Sequence, residues 1–292
     1  MIIDSHHHLW DPGKARYEWM TDEVAVLRRP FGLDDLRAVL AEAGVDASVV
    51  VQARHDVAET FEMLADAGAD SPVCGVVGWV GLTEPDDVEA QLASFASAPN
   101  GDALVGIRHL VQSEPDPDWL RRESVQRSIA AIGRRGLAYD LVVQPPQLRA
   151  AVAAVEANPE TRFVLDHIGN PRIANGSSDP EWEEPMRRLA ALSNVWCKLS
   201  GLVTRADWTN WTVEQLRAYT DSVCEWFGED RLMFGSDWPV CTLAASYAEV
   251  FGVLGELIAG TTTTAQEKIL GLNAVAAYNL RPVSPQQEPD RG

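Results

Sequence analysis

Short apolar runs and amphipathic stretches alternate along the whole chain. Eight runs rich in Val, Ile and Leu begin roughly 24 to 46 residues apart, and each is followed by a stretch with helical spacing. These runs cover residues 1–5, 47–53, 74–80, 104–110, 138–143, 162–168, 195–202 and 231–237. Because several are apolar at consecutive positions, they predict strands buried on both faces, as in a parallel sheet.

The intervening stretches carry the start and stop signals of helices. Leu36 and Leu40 lie on one helical face, and that stretch stops at Gly44. Residues 212–215 (Thr-Val-Glu-Gln) and 264–267 (Thr-Ala-Gln-Glu) have the capping-box pattern that opens a helix. The second box predicts one further helix beyond the eighth strand–helix unit.

Eight strand–helix units predict an α/β fold, a (β/α)8 TIM barrel that forms a single domain over residues 1–280. Loops that follow strands form the functional face of this fold, and we expect long ones to wall a binding site there. The long strand-to-helix segments are residues 9–32, 111–118, 170–185 and 203–211. The Pro- and charge-rich residues 281–292 are predicted to be a disordered tail.

Charge narrows the choice of partner. The 292 residues carry a formal net charge of -19, although 46% of them are hydrophobic, as in an ordinary globular protein. Nucleic acid and anionic membrane surfaces repel such a charge, so we expect neither as a partner. A neutral small molecule is indifferent to it. Composition leaves open whether copies of the chain form a homo-oligomer.

The cysteines and the N-terminal segment bear on the compartment. Four cysteines, at positions 74, 197, 224 and 241, show no CxxC pairing and are interpreted as free thiols. The sequence has neither a basic-then-apolar leader pattern nor an apolar run near 18 residues. The default expectation is therefore a cytoplasmic protein.

Three consecutive histidines end the first apolar run. Side chains alternate along a strand, so His6 and His8 are predicted to share one face, with His7 on the other. Two imidazoles on one face can converge on a single ion or substrate atom. An expression tag is the alternative, but tags are longer and do not follow Ile-Ile-Asp. We interpret His7 as structural.

Other polar residues lie where a buried strand should not carry them, at the ends of the predicted strands. The carboxyl ends of barrel strands surround one rim, so these side chains should face a common space. They are Gln52, Arg54, Arg108, His109, Asp140, Asp166, His167, Lys198 and Asp237. Any single one could be a structural polar group; their coincidence at one end indicates an active site.

Three motifs carry a resemblance to a known family. His6-x-His8, the Asp-His-x-Gly of residues 166–169 and the Gly-Ser-Asp-Trp-Pro of residues 235–239 resemble the amidohydrolase superfamily, specifically its amidohydrolase 2 branch of sugar lactonases. Stretches such as residues 106–109 and 197–202 are similar to L-fuconolactonase-like proteins. The resemblance covers residue 2 to about residue 280.

The resemblance also bears on how many metal ions the site could hold. Two-metal members carry a carboxylated Lys or a Glu on strand four and a His on strand five. Here those strands end in Arg108-His109 and Tyr139-Asp140, so a binuclear centre is not expected. His6, His8 and Asp237 remain as ligands for one divalent ion, most simply zinc, with His167 adjacent. Some lactonases of this branch work without metal, so a metal-independent reaction stays open.

The implied reaction is hydrolysis of a sugar-acid lactone to the free acid. Asp237 is predicted to take a proton from the attacking water and return it to the ring oxygen. The carbonyl is polarised by metal on His6 and His8, or by those histidines and His167 themselves.

Several further residues are candidates for binding the substrate. Those that could hold substrate hydroxyls or the product carboxylate, or stack on the sugar ring, are Gln52, Arg54, Arg108, His109, Lys198 and Trp238. For Lys198, an ion pair with Asp140 or Asp166 is an equal alternative.

Two other functions use the same residues. A metal-dependent decarboxylase of an aromatic acid occurs on the same barrel in a related branch, and it requires a full metal cluster and an arginine-lined acid pocket. A sugar-binding barrel without catalysis is the other alternative. Retention of His6, His8, His167 and Asp237 together favours the hydrolase.

Overall fold

A computed structural model describes residues 1–173 and 179–281 of the chain. Eight parallel strands pair in chain order, from β1 with β2 through β7 with β8. They are β1 (Ile3–His7), β2 (Ala47–Val51), β3 (Val73–Gly78), β4 (Leu104–His109), β5 (Ala138–Leu141), β6 (Arg162–Leu165), β7 (Val195–Leu199) and β8 (Leu232–Phe234). The predicted (β/α)8 barrel is confirmed. All but the first residue of the predicted tail, residues 281–292, lies outside the described part.

Helices follow the strands and surround the sheet. They are α1 (Leu33–Ala43), α2 (Val57–Asp66), α3 (Pro85–Ala96), α4 (Glu123–Arg134), α5 (Leu148–Ala157), α6 (Pro180–Ala191), α7 (Leu202–Arg205), α8 (Val213–Phe227), α9 (Tyr247–Ile258), α10 (Thr263–Glu267) and α11 (Asn273–Tyr278). In the described part of the chain, no helix combines the length and the apolar character needed to cross a bilayer.

Many boundaries differ from those predicted, since β2 to β8 each end one to three residues before the predicted runs do. The first strand is Ile3–His7 rather than residues 1–5, because it pairs from Ile3 opposite Ala47 as far as His7 opposite Val50. Helix α6 begins at Pro180, inside the stretch predicted as a loop, where the Asp179 side chain caps it. The helix predicted from residue 264 is capped two residues earlier by Thr262.

The barrel closes between β8 and β1. A parallel bridge joins His7 to Trp238, just past the end of β8. The backbone N–H of Asp237 donates to the carbonyl of His6 at 2.8 Å, and that of His8 donates to the carbonyl of Trp238 at 2.7 Å. These bonds place the first and last strand ends side by side at one rim.

Two apolar clusters fill the molecule. The larger one lies between the strands and the surrounding helices. The smaller one lies inside the barrel and joins inward residues such as Val49 and Val164 to Ala277, Tyr278 and Leu280 from α11 and the residues after it. The predicted extra C-terminal helix therefore packs into the bore, against the barrel's inner layer.

The long segment after β1 returns to its starting point. Trp10 and Phe31 exchange two backbone hydrogen bonds, 3.1 and 2.9 Å long, which form an antiparallel bridge. The Trp10 indole N–H also donates to the carbonyl of Leu27 at 3.1 Å. Between these anchors the chain carries Trp19, whose indole N–H donates to the carbonyl of Ala53 at 2.8 Å. The excursion is therefore fastened at both its base and its middle.

Burial of His7 should make the stability of the protein depend on pH. Its imidazole is fully buried, and neither ring nitrogen has a partner among the described residues. Burial, with His8 beside it, lowers the pKa of His7 from 6.5 to about 3. Below pH 6.5 the unfolded chain therefore binds a proton at His7 that the folded chain does not bind. The free energy of unfolding consequently decreases as the pH is lowered.

We expect the variant His7→Leu to lose less unfolding free energy than the parent between pH 7 and pH 5. The difference should be about 2 kcal/mol, which is the cost of this site from pH 6.5 to pH 5. Urea unfolding at the two pH values, followed by tryptophan fluorescence, measures it. Equal pH dependence in both proteins would contradict the assignment of His7 as a buried neutral imidazole.

Candidate active site

Two imidazoles and one carboxylate meet at the rim where β8 joins β1. The Nε2 atoms of His6 and His8 are 3.3 Å apart. Asp237 Oδ1 lies 3.5 Å from His8 Nε2 and 3.8 Å from His6 Nε2. All three side chains are nearly or fully buried. The alternation predicted for β1 is confirmed, since His6 and His8 face the site together.

The hydrogen bonds of His8 and His6 fix which nitrogens face this space. His8 Nδ1 donates to the carbonyl of Val51 at 2.7 Å, so its Nε2 presents a lone pair. Burial lowers the pKa of His8 to about 3, and the imidazole is neutral. His6 Nδ1 lies 3.2 Å from Asp166 Oδ1, and burial holds its pKa well below the usual value. With its proton on Nδ1, His6 also presents a lone pair.

The three residues fit one metal ion. Two lone pairs 3.3 Å apart repel unless a cation or a proton lies between them. Zinc bound tetrahedrally holds its nitrogen and oxygen ligands about 3.4 Å from one another, close to the spacings among His6, His8 and Asp237. The Val51 carbonyl and the Asp166 carboxylate are the outer partners that ligating histidines usually have. The guanidinium of Arg108 also approaches, with Nη1 3.3 Å from His6 Nε2.

Four charged side chains lie beneath His6 inside the barrel. We call Asp140, Asp166, Lys198 and Arg108 the buried charge cluster; none is more than 2% exposed. Lys198 Nζ lies 2.7 Å from Asp140 Oδ2 and 2.9 Å from Asp166 Oδ1. Arg108 Nη1 lies 3.0 Å from Asp166 Oδ2. Burial opposes the charge of Asp166, but Lys198 and His6 outweigh it and hold the pKa of Asp166 well below its usual range.

Asp237 is held in a strained backbone position. Its φ of 58° is in the left-handed region, which a non-glycine residue adopts at a cost. The preceding Ser236 is fixed by Asp4, whose carboxylate accepts from the Ser236 N–H at 2.8 Å and from its hydroxyl at 2.6 Å. Burial raises the pKa of Asp237, with His167 and Arg108 acting in opposition. The carboxyl is thus a stronger base than an exposed aspartate.

His167 approaches the same carboxylate from β6. Its Nε2 lies 3.9 Å from Asp237 Oδ1, and its backbone φ of 53° is also left-handed. The Ser200 hydroxyl accepts from the backbone N–H of His167 at 3.3 Å and lies 2.8 Å from Nδ1. Because the hydroxyl proton is then available to Nδ1, this network favours a proton on Nε2, the nitrogen nearer Asp237.

A cavity of about 190 Å³ opens above these groups. Its deep wall includes His8, Arg108, His167 and Asp237. The remaining lining comes from strand-end loops and comprises Trp19, Ala53, Leu110, Gln112, Val142, Asn170, Thr204, Arg205, Trp208, Val240 and Leu243. Polar donors and two indoles beside a small cavity suit a hydroxylated ring compound.

The structure brings some of the predicted substrate-binding residues to the cavity and leaves others away from it. Arg108 lines it, while Gln52 supports Arg108 through its side-chain oxygen at 3.2 Å. Lys198 is fully buried in the charge cluster, which agrees with the ion-pair alternative. Arg54 is paired with Glu62 and Asp56 beside a neighbouring cleft.

His109 and Trp238 also lie apart from the cavity. His109 accepts from the Trp79 indole at 3.0 Å and contacts Glu114 at 2.8 Å. Trp238 is buried against Phe31. Both residues follow the rim in sequence but point into side-chain packing, so we assign them no contact with substrate.

Arg205 was missed by the sequence reasoning. It lines the cavity, its Nη2 donates to Gln144 Oε1 at 3.1 Å, and its Nε has no partner among the described residues. Burial lowers its pKa, and Asp237 opposes that effect. The signal was present, since Arg205 is a basic residue in the extended segment after the seventh strand.

Comparison with known proteins decides the family. A family model described as "Amidohydrolase" matches residues 3–280. This chain belongs to the amidohydrolase family. This amidohydrolase is 38% identical to an L-fucono-1,5-lactonase of Burkholderia ambifaria over 85% of the chain and 83% of that protein. It is 35% identical to an L-fucono-1,5-lactonase of Burkholderia multivorans over 95% of the chain and 96% of that protein.

Solved structures share the fold of this amidohydrolase. A crystal structure of a Burkholderia multivorans amidohydrolase with bound zinc is 33% identical and superposes with a TM-score of 0.91, covering 96% of the chain and 100% of that one. Two decarboxylases with this fold are only 14% and 13% identical, so they bear on the fold alone. They lend the decarboxylase alternative no support beyond the shared barrel.

Gly201 makes room for His167. Its φ is +64°, and a Cβ at this position would lie 2.7 Å from His167 Nδ1. Gly44 offers a matched control, because its backbone is also left-handed (φ 69°, ψ 32°, against 64° and 9° for Gly201) but nothing lies within 4 Å of a Cβ there.

We expect Gly44→Ala to lower the free energy of unfolding by about 1–2 kcal/mol, the cost of left-handed backbone alone. Gly201→Ala should cost about 1–3 kcal/mol more, because it also forces His167 out of place. Chemical denaturation of both variants measures the difference. Equal losses would show that Gly201 does not serve to seat His167.

Proposed function

We propose that this amidohydrolase is a lactonase that opens a sugar-acid lactone, such as L-fucono-1,5-lactone, to the free acid. The observation that carries the proposal is the convergence of His6, His8 and Asp237 within 3.3–3.8 Å beside a cavity of small-molecule size. Two relatives above 30% identity are L-fucono-1,5-lactonases, which supports the choice of substrate.

Asp237 serves as the general base and then as the general acid. Its carboxylate removes a proton from water as the water oxygen attacks the lactone carbonyl. The bond from that carbon to the ring oxygen then breaks, and Asp237 returns the proton to the departing oxygen. Where no cation is bound to it, burial raises the pKa of Asp237 and brings its basicity nearer to neutral pH, where such a proton transfer is efficient.

Hydrogen-bond donors surround the position of the developing oxyanion. His167, with its proton on Nε2, and the Arg108 guanidinium both face the cavity. Donors fixed in a water-poor site stabilise negative charge more strongly in the transition state than in the neutral ester. A metal ion held by His6, His8 and Asp237 would supply Lewis-acid polarisation of the carbonyl and a more acidic water.

The cavity wall accounts for recognition of the rest of the substrate. Arg205 lines the cavity, and its guanidinium suits ring hydroxyls or the carboxylate of the product. Trp19 and Trp208 present indoles that suit the apolar faces of a sugar ring. Both indole N–H groups are already bonded to carbonyls, of Ala53 and Thr204, which fixes the rings in place.

Zinc is the ion that we propose for the site. The donor set of two imidazoles and one carboxylate is typical of catalytic zinc, and a similar amidohydrolase of known structure contains it. Elemental analysis of protein purified without a histidine tag, followed by chelation, tests the assignment. About one zinc per chain that is lost with activity supports it; full activity of metal-free protein contradicts it.

The cellular setting follows from the proposed substrate. The cysteines at positions 74, 197, 224 and 241 are all free thiols, which fits a reducing cytoplasm. Hydrolysis of an aldonolactone belongs to carbohydrate catabolism, because it converts an oxidised sugar to its acid.

The reaction is tested by acid release. A pH-indicator assay over 1,4- and 1,5-aldonolactones should show release with the purified protein, and Asp237→Asn should lower turnover at least about a hundredfold, as loss of a general base does. Asp116→Asn is the control, because Asp116 pairs with Arg122 on the surface. Near-parental turnover by Asp237→Asn would remove Asp237 from proton transfer. Evolution of CO2 from an aromatic acid, without lactone turnover, would favour a decarboxylase instead.

A further inference from the structure

A chain of polar contacts runs from the C-terminal helix α11 to His6 through the barrel bore. The Tyr278 hydroxyl donates to Asp140 Oδ2 at 2.6 Å. The same oxygen lies 2.7 Å from Lys198 Nζ, which in turn lies 3.1 Å from His6 Nδ1. Tyr278, Asp140, Lys198 and His6 are all inaccessible to solvent, at about 1% exposure or less. We call these four residues the bore column.

Asp140 depends on this column for its orientation. Its Oδ2 has two partners, Tyr278 and Lys198, whereas its Oδ1 is buried without a partner among the described residues. Loss of the Tyr278 hydroxyl would remove one of the two hydrogen-bond contacts that the described residues make with this carboxylate.

Lys198 transmits that orientation to His6. Its ammonium lies 2.7 Å from Asp140, 2.9 Å from Asp166 Oδ1 and 3.1 Å from His6 Nδ1. Asp166 Oδ1 is itself 3.2 Å from His6 Nδ1. Lys198 and His6 Nδ1 therefore compete for the same carboxylate oxygen. A shift of the ammonium away from Asp140 changes which of the two groups donates the stronger hydrogen bond to Asp166 Oδ1.

We propose that Tyr278 is a positioning residue for His6, acting from the opposite end of the barrel through Asp140 and Lys198. Through this column the C-terminal helix sets the hydrogen bonding of His6 Nδ1, and thus the lone pair that His6 Nε2 presents to the site. The kinetic consequence rests on the proposed lactonase function, whereas the effect on the imidazole does not.

Tyr139 provides a matched control for Tyr278. It precedes Asp140 in β5, is fully buried, and its hydroxyl has no partner among the described residues. Removing either hydroxyl deletes one oxygen from a fully buried tyrosine, but Tyr139 packs on the outer face of β5 and Tyr278 lies in the bore. Only at Tyr278 does the deletion break the bore column.

The kinetic test compares Tyr278→Phe with Tyr139→Phe. We expect Tyr278→Phe to lower kcat about threefold to tenfold, since direct partners of a ligating histidine contribute about 10–100-fold and Tyr278 is more remote. KM should stay within twofold of the parent, roughly, because Tyr278 does not line the cavity. Tyr139→Phe should leave both constants unchanged. A raised KM with normal kcat, or equal losses in both variants, overturns the proposal.

A spectroscopic test does not depend on any activity. The chain has six histidines, so 15N-histidine labelling resolves their ring nitrogens by two-bond nitrogen–proton correlation. Tyr278→Phe should move the Nδ1 and Nε2 signals of His6 and leave those of His55 in place, while Tyr139→Phe moves neither. His6→Gln assigns the signals. Unchanged His6 signals in folded Tyr278→Phe overturn the proposal even if the protein hydrolyses no lactone.

A second variant tests the bore column at its middle, at Asp140. Asp140→Asn keeps the side-chain shape and an acceptor for Tyr278 but removes the charge that holds Lys198. It should move the same His6 signals by more than Tyr278→Phe does. If the parent shows no lactone turnover but the His6 signals shift as expected, the lactonase function fails and the positioning role stands.

Discussion

Charge balance inside the barrel is the constraint on which the rest of the structure depends. Asp140, Asp166, Lys198 and Arg108 place two negative and two positive groups in a bore that water does not enter. Removing one member of a buried pair costs about 3–5 kcal/mol, because the remaining charge is left uncompensated. The cluster therefore holds each member in one place, and His6 rests directly on it. The same contacts therefore position His6 at the rim and stabilise the core.

The rim adds backbone strain to this rigid base. Asp237 and His167 both occupy left-handed backbone conformations, and both face one space. Such positions persist only where the surroundings over-determine them, here through Asp4 beneath Ser236 and through Ser200 beside His167. The carboxylate and the imidazole are thus presented at fixed positions before a substrate arrives.

Much of this architecture was predictable from periodicity. Continuous apolar runs identified all eight strands, and strand alternation separated His6 and His8 from His7. The position of a polar residue at a strand end predicted that it lies at the rim, but it did not predict which way its side chain points. Lys198 turns into the bore because two carboxylates neutralise it, and His109 turns into an aromatic stack with Trp119. Such choices depend on partners distant in sequence, which local pattern does not encode. Arg205 lies in a short helix that no apolar period revealed.

The bridge between Trp10 and Phe31 makes the length of the segment after β1 independent of the strand pairing. The segment leaves and rejoins the barrel at one point, so its length does not affect the register of the strands. Trp19 reaches the cavity from this segment, whereas Tyr17, Met20 and Leu27 of the same segment pack in the main core. Substitutions at its exposed positions can therefore reshape the cavity wall while the buried positions keep the segment in place.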